Sequence, residues 1–359
     1  MMRSLIETAL KKARTEDHIT DTHLEEVLKD VKARILAIGI GGAGNNTTTR
    51  LMKAGIDGAE TLAVNTDAQD LLHTESHYKL LIGKELTGGL GAGNDPEVGE
   101  AAAKENIDDI RNAVRADMVF ITCGLGGGTG TGAAPVFAEA AKKQKALTVS
   151  IVTLPFRVEG KKRQENAARG LRKLLEVSDT VIVIPNDRLL EFAPDLSISE
   201  AFKVADEVLI RGVKGIAELV TRPGLVNLDF ADVRTIMKNR GVAIIAMGES
   251  DNNDRAVDAV ENALNNPLLD VDIEGANAAL INVNGSSDMT LREAQTAVKV
   301  VSDKLQPDAE IIWGAIIDDS LKDEVQVIII VSGVKSPYIF GANGEKINNL
   351  GKDLGLEEL

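Results

Sequence analysis

A chain of 359 residues that is 44% hydrophobic exceeds the size at which one core usually stops growing, so two domains are expected. With 3% aromatic residues, those cores must be built from Ala, Val, Leu and Ile. The net charge of −15 disfavours non-specific binding to nucleic acid or an anionic membrane, and the single cysteine, Cys123, excludes an internal disulfide.

The opening residues Met1–Leu10 lack a full signal sequence, and no apolar run reaches roughly 18 residues, which predicts a soluble cytoplasmic protein without direct membrane insertion. Residues 1–32 read as one or two polar, acidic peripheral helices. The run Arg34–Ile40 is a buried-strand candidate followed at once by Gly41-Gly42-Ala43-Gly44-Asn45-Asn46 and a helix from about Thr47 to Lys53. Strand, glycine turn and helix open a nucleotide-binding α/β unit. A lysine P-loop is absent, because no glycine stretch continues into Gly-Lys-Ser/Thr. A second strand, Glu60–Val64, ends in Asn65-Thr66-Asp67. Asp67 lies 23 residues beyond Gly44, a spacing that fits the ribose-reading acid of a dinucleotide-dependent dehydrogenase and keeps that alternative open. Lys79–Gly83 is a short strand. It is followed by a second glycine loop, Gly88–Asp95, and a helix from about Pro96 to Arg115.

The strand Met118–Thr122 leads into Gly124-Leu125-Gly126-Gly127-Gly128-Thr129-Gly130-Thr131-Gly132, six glycines in nine residues. Ala133–Ala140 then reads as a helix with Pro135 in its first turn. Glycines at a strand-to-helix turn let backbone N–H groups converge on an anion beside the positive end of a helix. Three such loops, each after a strand, suit a chain of two or three phosphates better than a dinucleotide. The strand Ala146–Thr153 ends near a charge cluster holding Glu159 and Arg163, candidates for ribose and phosphate contacts. Thr180–Ile184 is another strand, with Pro185-Asn186-Asp187 behind it. Repeated strand–helix alternation predicts a parallel, doubly wound sheet.

The longest helical pattern runs from Glu200 to about Val220 with Ser199 as its N-cap, a spine between two domains. Beyond it lie Asn227, Asp229 and Asp232; if residues 230–239 form a helix, helix capping by Asp229 accounts for one of the three. From Gly241 the pattern changes to strands at 242–248, 278–285, 309–314 and 324–331. They alternate with helices at 254–264 and from Thr290, which opens a capping box with Glu293. The last strand is expected to be central, and residues 335–359 read as a short tail.

The Gly126–Gly132 glycine–threonine run together with Asn227-x-Asp229-x-x-Asp232 resembles the FtsZ family of tubulin-like prokaryotic cell-division GTPases. Gly41–Asn46, Asn65–Gln69, Gly88–Asp95 and Phe156–Arg163 match the same family, and the likeness runs from about residue 34 to 335. The acidic N-terminal extension and short C-terminus are similar to archaeal members. The resemblance implies the tubulin/FtsZ fold: an α/β, Rossmann-like parallel-sheet GTPase domain, a long central helix and a second α+β domain. It divides the chain into an N-terminal extension at 1–32, a GTP-binding domain at 33–198, the central helix at 199–222, a C-terminal domain with the catalytic loop at 223–335 and a tail at 336–359. It implies GTP and GDP as ligands, with Gly41, Gly42, Ala43, Gly44 and Asn45 holding phosphate. Gly127, Gly128, Thr129, Gly130, Thr131 and Gly132 would cradle the phosphate chain, with Ala92 and Gly93 over the terminal phosphate. Glu159 and Arg163 would meet the ribose, Asn186 and Asp206 the guanine edge, and Phe202 would stack on the base.

The same resemblance implies that Asp229, Asp232 and Asn227 act on GTP bound to the neighbouring subunit of a head-to-tail filament, with Mg²⁺ as cofactor and concentration at mid-cell. A membrane-tethering adaptor is an expected partner, although the tail ending Leu354–Leu359 departs from the long linker of bacterial members. A tubulin-like scaffold without turnover, or a regulatory paralogue, is the competing expectation.

Overall fold

Apolar strands with both faces buried set the architecture. The computed structural model describes residues 33–56, 58–188, 197–222, 224–226, 228–238, 240–265, 273 and 276–333. The expected N-terminal helices and C-terminal tail lie outside them. Ten strands form one sheet in the order β3-β2-β1-β4-β5-β6-β7-β10-β8-β9: β1 Ile35–Ile40, β2 Ala59–Asn65, β3 Tyr78–Leu81, β4 Met118–Gly124, β5 Leu147–Leu154, β6 Thr180–Pro185, β7 Gly241–Ser250, β8 Ala278–Gly285, β9 Glu310–Ile317 and β10 Val325–Ser332. The first six pair in parallel. β10 lies antiparallel between β7 and β8, the central place its sequence predicts.

The two halves are less separate than the sequence suggests. β6 pairs in parallel with β7 through Thr180, Val181 and Ile182, so the parallel sheet continues into the second α+β region.

In chain order the helices are α1 Gly41–Ala54, α2 Ala68–His73, α3 Lys84–Thr87, α4 Pro96–Glu105, α5 Ile107–Ala113, α6 Thr129–Lys143, α7 Lys161–Val177, α8 Ile198–Thr221, α9 Phe230–Met237, α10 Arg255–Leu264 and α11 Leu291–Ser302. Leu36, Ile38 and Ile40 of β1 join one apolar layer with Phe137 of α6 and Leu171 of α7. Ile35 and Ala37 of the same strand join the other layer, with Leu209, Val213 and Ile216 of α8. This period-two division between two covered faces explains the unbroken hydrophobic runs. The α8 layer also takes in Ile151 of β5 and Ile328 and Ile330 of β10, so one helix packs on both the parallel and the antiparallel strands.

Four boundaries differ from expectation, each for a local reason. Helix α1 starts at Gly41 rather than Thr47, and α6 starts at Thr129, which places Pro135 inside the helix. The glycine turns are therefore helix starts. The helix expected over 96–115 is split into α4 and α5 at Asn106, whose side-chain oxygen accepts from Gly83 N–H at 2.9 Å. The N-cap of α8 is Ser197, which forms a capping box with Glu200; that interaction holds the Glu200 carboxyl below its ordinary range.

Cys123 is fully buried in the first apolar layer, and desolvation pushes its thiol up to about 12. Iodoacetamide is expected to leave the native protein unlabelled at neutral pH and to add one equivalent once guanidinium unfolds it. Mass spectrometry of the two samples checks this.

Candidate functional site

The carboxyl ends of the parallel strands open on a cavity of about 620 Å³, within the usual range for a small-molecule site. Two helix N-termini converge there, since α1 and α6 contribute Gly41, Gly42, Gly128, Thr129 and Gly130 to its wall. Neither helix has a side-chain cap, so their first N–H groups are free to meet an anion. The loops lie in backbone contact: a Cβ on Gly41, where φ is +72°, would stand 3.0 Å from Gly130 N. Only glycine combines that conformation with that approach.

The second glycine loop, Gly88–Asp95, is pinned over this cradle by a residue that the sequence gives no reason to single out. Asn166 of α7, fully buried, donates from Nδ2 to Asn94 O and Gly126 O, each at 3.2 Å. Ala92 and Gly93 thereby line the cavity beside Gly127 and Gly128. Ala43 lines it as well.

At the other end of the cavity, Glu159 Oε1 accepts from Phe156 N–H at 2.8 Å and its Oε2 pairs with Arg163 at 2.5 Å. Phe156 holds the ring of Phe202 edge-to-face, with centroids 5.2 Å apart. Phe202 nevertheless remains 42% exposed, an open aromatic surface on the cavity wall. Asn186 is buried, and its Oδ1 has no hydrogen-bond partner within the described chain. Asp206 is buried too. Desolvation pushes its carboxyl up to about 6, against the opposing field of Arg50, whose guanidinium lies 3.4 Å away. Helical periodicity gave Asp206 no role, because it lies off the apolar stripe of α8; its depth in a polar cavity is a tertiary property.

Four expected phosphate contacts stand behind the wall. Gly44 and Asn45 are buried in α1, and Thr131 and Gly132 in α6; none lines the cavity. They support it instead. Thr131 Oγ1 accepts from Gly126 N–H at 2.9 Å, and Asn45 donates to Asp70, which does line the cavity. Asn65 and Asp67 also face it. Asp67 caps α2, its Oδ1 accepting from Gln69 and Asp70 N–H.

Asp229 and Asp232 are elsewhere. They form a reciprocal capping box at the start of α9, with Asp232 N–H donating to Asp229 Oδ1 at 2.8 Å and Asp229 N–H to Asp232 Oδ2 at 3.4 Å. Arg234, half a turn on, donates to Asp117 O and Lys145 O, just ahead of β4 and β5. The cavity is lined by Gly124 and Thr153, at the far ends of those strands. About 20 Å of strand therefore separates the acids from the cavity of their own chain. Asn227 lies outside the described residues.

Residues 34–194 match the Tubulin/FtsZ family, GTPase domain, and residues 241–335 match the FtsZ family, C-terminal domain. The chain is 60% identical over 325 residues to the cell division protein FtsZ of Methanothermobacter thermautotrophicus, covering 90% of this chain and 85% of that protein.

This chain belongs to the FtsZ family.

It superposes on the structure of an empty FtsZ dimer from M. jannaschii with a TM-score of 0.85 and 56% identity, covering 88% of this chain and 93% of that one. A GTPγS-bound CetZ2 protofilament from Haloferax volcanii shares the fold alone, with a TM-score of 0.75 at 22% identity. Membership in the FtsZ family makes the chain a GTP-binding GTPase and sets aside the dehydrogenase alternative. No helix among the described residues is long and apolar enough to cross a membrane.

Proposed function

We propose that this chain assembles head to tail into cell-division filaments and hydrolyses GTP only where the cavity of one subunit meets Asp229 and Asp232 of the next. The observation that carries this reading is the placement of cavity and acid pair at opposite ends of the same strands. A contact of this kind is heterologous and does not close, so it propagates into a filament. The phosphates fit between the uncapped starts of α1 and α6, under Ala92 and Gly93. Glu159 and Arg163 suit the ribose, Phe202 the face of the base, and Asn186 and Asp206 its polar edge. The ionised carboxylate of Asp206 would accept from guanine N1–H and N2–H. The incoming Asp229 and Asp232 would orient the attacking water, a task the family resemblance also gives Asn227. Residues 33–198 would then bind nucleotide, 199–222 link the halves and 223–335 deliver the acids. A cytoplasmic ring at mid-cell, tethered by an adaptor near Leu354–Leu359, completes the proposal.

The cradle also suits Mg²⁺. Asp67 and Asp70 face the phosphate position; Asp70 Oδ2 accepts from Asn65 and Asn45, while the buried Asn45 Oδ1 has no partner within the described chain. Two carboxylates inside a phosphate cradle repel its ligand unless a cation lies between them. Among the described residues no three His, Cys, Asp or Glu side chains form a metal site by themselves, so the ion would share its shell with phosphate oxygens. When bound, Mg²⁺ would offset charge building on those oxygens.

The capping box gives both acids a structural role as well, which is what a scaffold without turnover would require. The rate of GTP hydrolysis measured against protein concentration separates the two readings. A shared site predicts a rate per subunit that rises steeply above a threshold concentration. A rate per subunit that stays constant down to dilute monomer defeats the shared site, and no turnover at any concentration favours the scaffold.

A further inference from the structure

Arg50 joins the phosphate-binding helix to the base-binding end of α8. It lies nine residues beyond Gly41 on α1, about 13 Å along the axis. Its Nη2 stands 3.4 Å from Asp206 Oδ2, and its Nη1 donates to Lys203 O at 3.2 Å. The second contact fixes the plane of the guanidinium against backbone, so the group is oriented as well as charged.

We propose that Arg50 is a positioning residue for guanine recognition, holding Asp206 ionised and turned so that the carboxylate accepts from both N1–H and N2–H of the base. The proposal rests on Asp206 as the guanine contact described above and assigns the residue that makes that contact work.

The charges around Asp206 leave this task to Arg50. On α8 itself, Lys203 and Glu207 are exposed, and Glu207 pairs with Arg211. Across the cavity Glu159 and Arg163 pair with each other, and Arg157 pairs with Asp187. On α1, Lys53 pairs with Glu75. Asp67 and Asp70 lie at the phosphate end of the cavity. Among the described residues, Arg50 is the ion-pair partner within reach of Asp206.

Burial already brings the Asp206 carboxyl to about 6 with Arg50 beside it. Removing the guanidinium leaves desolvation unopposed and moves the carboxyl further up, toward neutrality. The protonated acid then presents an O–H donor where the guanine edge presents two donors. Guanine binding needs the ionised form, so affinity is present above the carboxyl's pKa and lost as pH falls through it. In the native chain that loss is centred near pH 6; without Arg50 it is centred at higher pH.

GDP and IDP make the test clean, because neither is hydrolysed and they differ only in the N2 amino group. Calorimetric titration from about pH 5.5 to about pH 9 would compare the native chain with Arg50→Gln, Arg50→Lys and Asp206→Ala. Arg50→Gln is expected to weaken GDP binding about tenfold at neutral pH and about twofold at the alkaline end, with a smaller loss for IDP. Arg50→Lys keeps the charge and should keep the pH midpoint while binding GDP more weakly. Equal losses for GDP and IDP at every pH in Arg50→Gln, or a shifted midpoint in Arg50→Lys, would overturn the role given to Arg50. Asp206→Ala should erase the preference for GDP over IDP. If it does not, the guanine contact itself is wrong; if it does while Arg50→Gln behaves as native, only the role of Arg50 fails.

Discussion

Mixed one to one, Asp232→Ala and Gly42→Glu subunits are expected to recover about a quarter of native GTPase activity, although each is inactive alone. Asp232→Ala should bind GTP within about twofold of native and lose about 100-fold or more in turnover, the scale seen when a transition-state contact is removed. Its side chain is distant from its own cavity and caps only the first turn of α9, so nucleotide binding has no reason to change. Gly42→Glu has the complementary defect. A Cβ at Gly42 meets nothing nearer than Asp70 Oδ2 at 3.9 Å, so the backbone tolerates a side chain there. The new carboxylate fills the phosphate cradle and repels its ligand. In a random mixture, an interface works when an intact cavity from the first variant meets an intact acid pair from the second, which occurs at about one contact in four. Phosphate release from the mixture measures this directly. Silence from a mixture whose subunits co-sediment would show that Asp232 serves its own cavity and would refute the shared site.

The strands were legible because both faces of the sheet are covered, leaving unbroken apolar runs such as Ile35–Ile40. The loops read as candidate phosphate ligands because glycine and threonine cluster after strands, and the structure brings all three to one cavity. What one chain's sequence cannot separate is which glycine faces the ligand and which faces another helix. Gly128 and Gly130 line the cavity, whereas Gly132, two residues further into α6, is spent on packing. Helical geometry makes that division, since α6 begins at Thr129 and turns Gly132 toward α4. Asn166 and Arg50 were missed for a related reason. Each acts on residues distant in sequence, Asn94 and Gly126 for one and Asp206 for the other, and a polar residue on a helix carries no mark of that. Asp229 and Asp232 form a different case: their spacing is fully explained by a capping box, so only family resemblance suggested chemistry.

Gly132→Ala is accordingly expected to lower stability by about 2 kcal/mol despite placing the best helix former in a helix. The gain from propensity is about 1 kcal/mol. Against it, the new Cβ would stand 2.0 Å from Pro96 O and 2.5 Å from Glu100 N. Both are backbone atoms of α4 and cannot rotate away, so the helices must part by on the order of 1 Å; such overpacking costs about 1–3 kcal/mol or more. The reciprocal contact shares the strain, since a Cβ on Gly99 would lie 2.4 Å from Gly128 O. Because Gly128 also packs against Ala92 and Asp95, parting the helices draws the loop bearing Ala92 and Gly93 off the cradle. GTP affinity should therefore fall with stability, by about tenfold for each 1.4 kcal/mol lost from binding. Gly212→Ala in α8 is the control. Its new methyl would meet the mobile Cδ1 of Ile245 at 3.1 Å, which can turn aside, so the helix propensity gain should survive. Urea midpoints for the two variants decide the matter: Gly132→Ala as stable as Gly212→Ala would mean that the α4–α6 contact yields, and that the glycine is held there by its ligand after all.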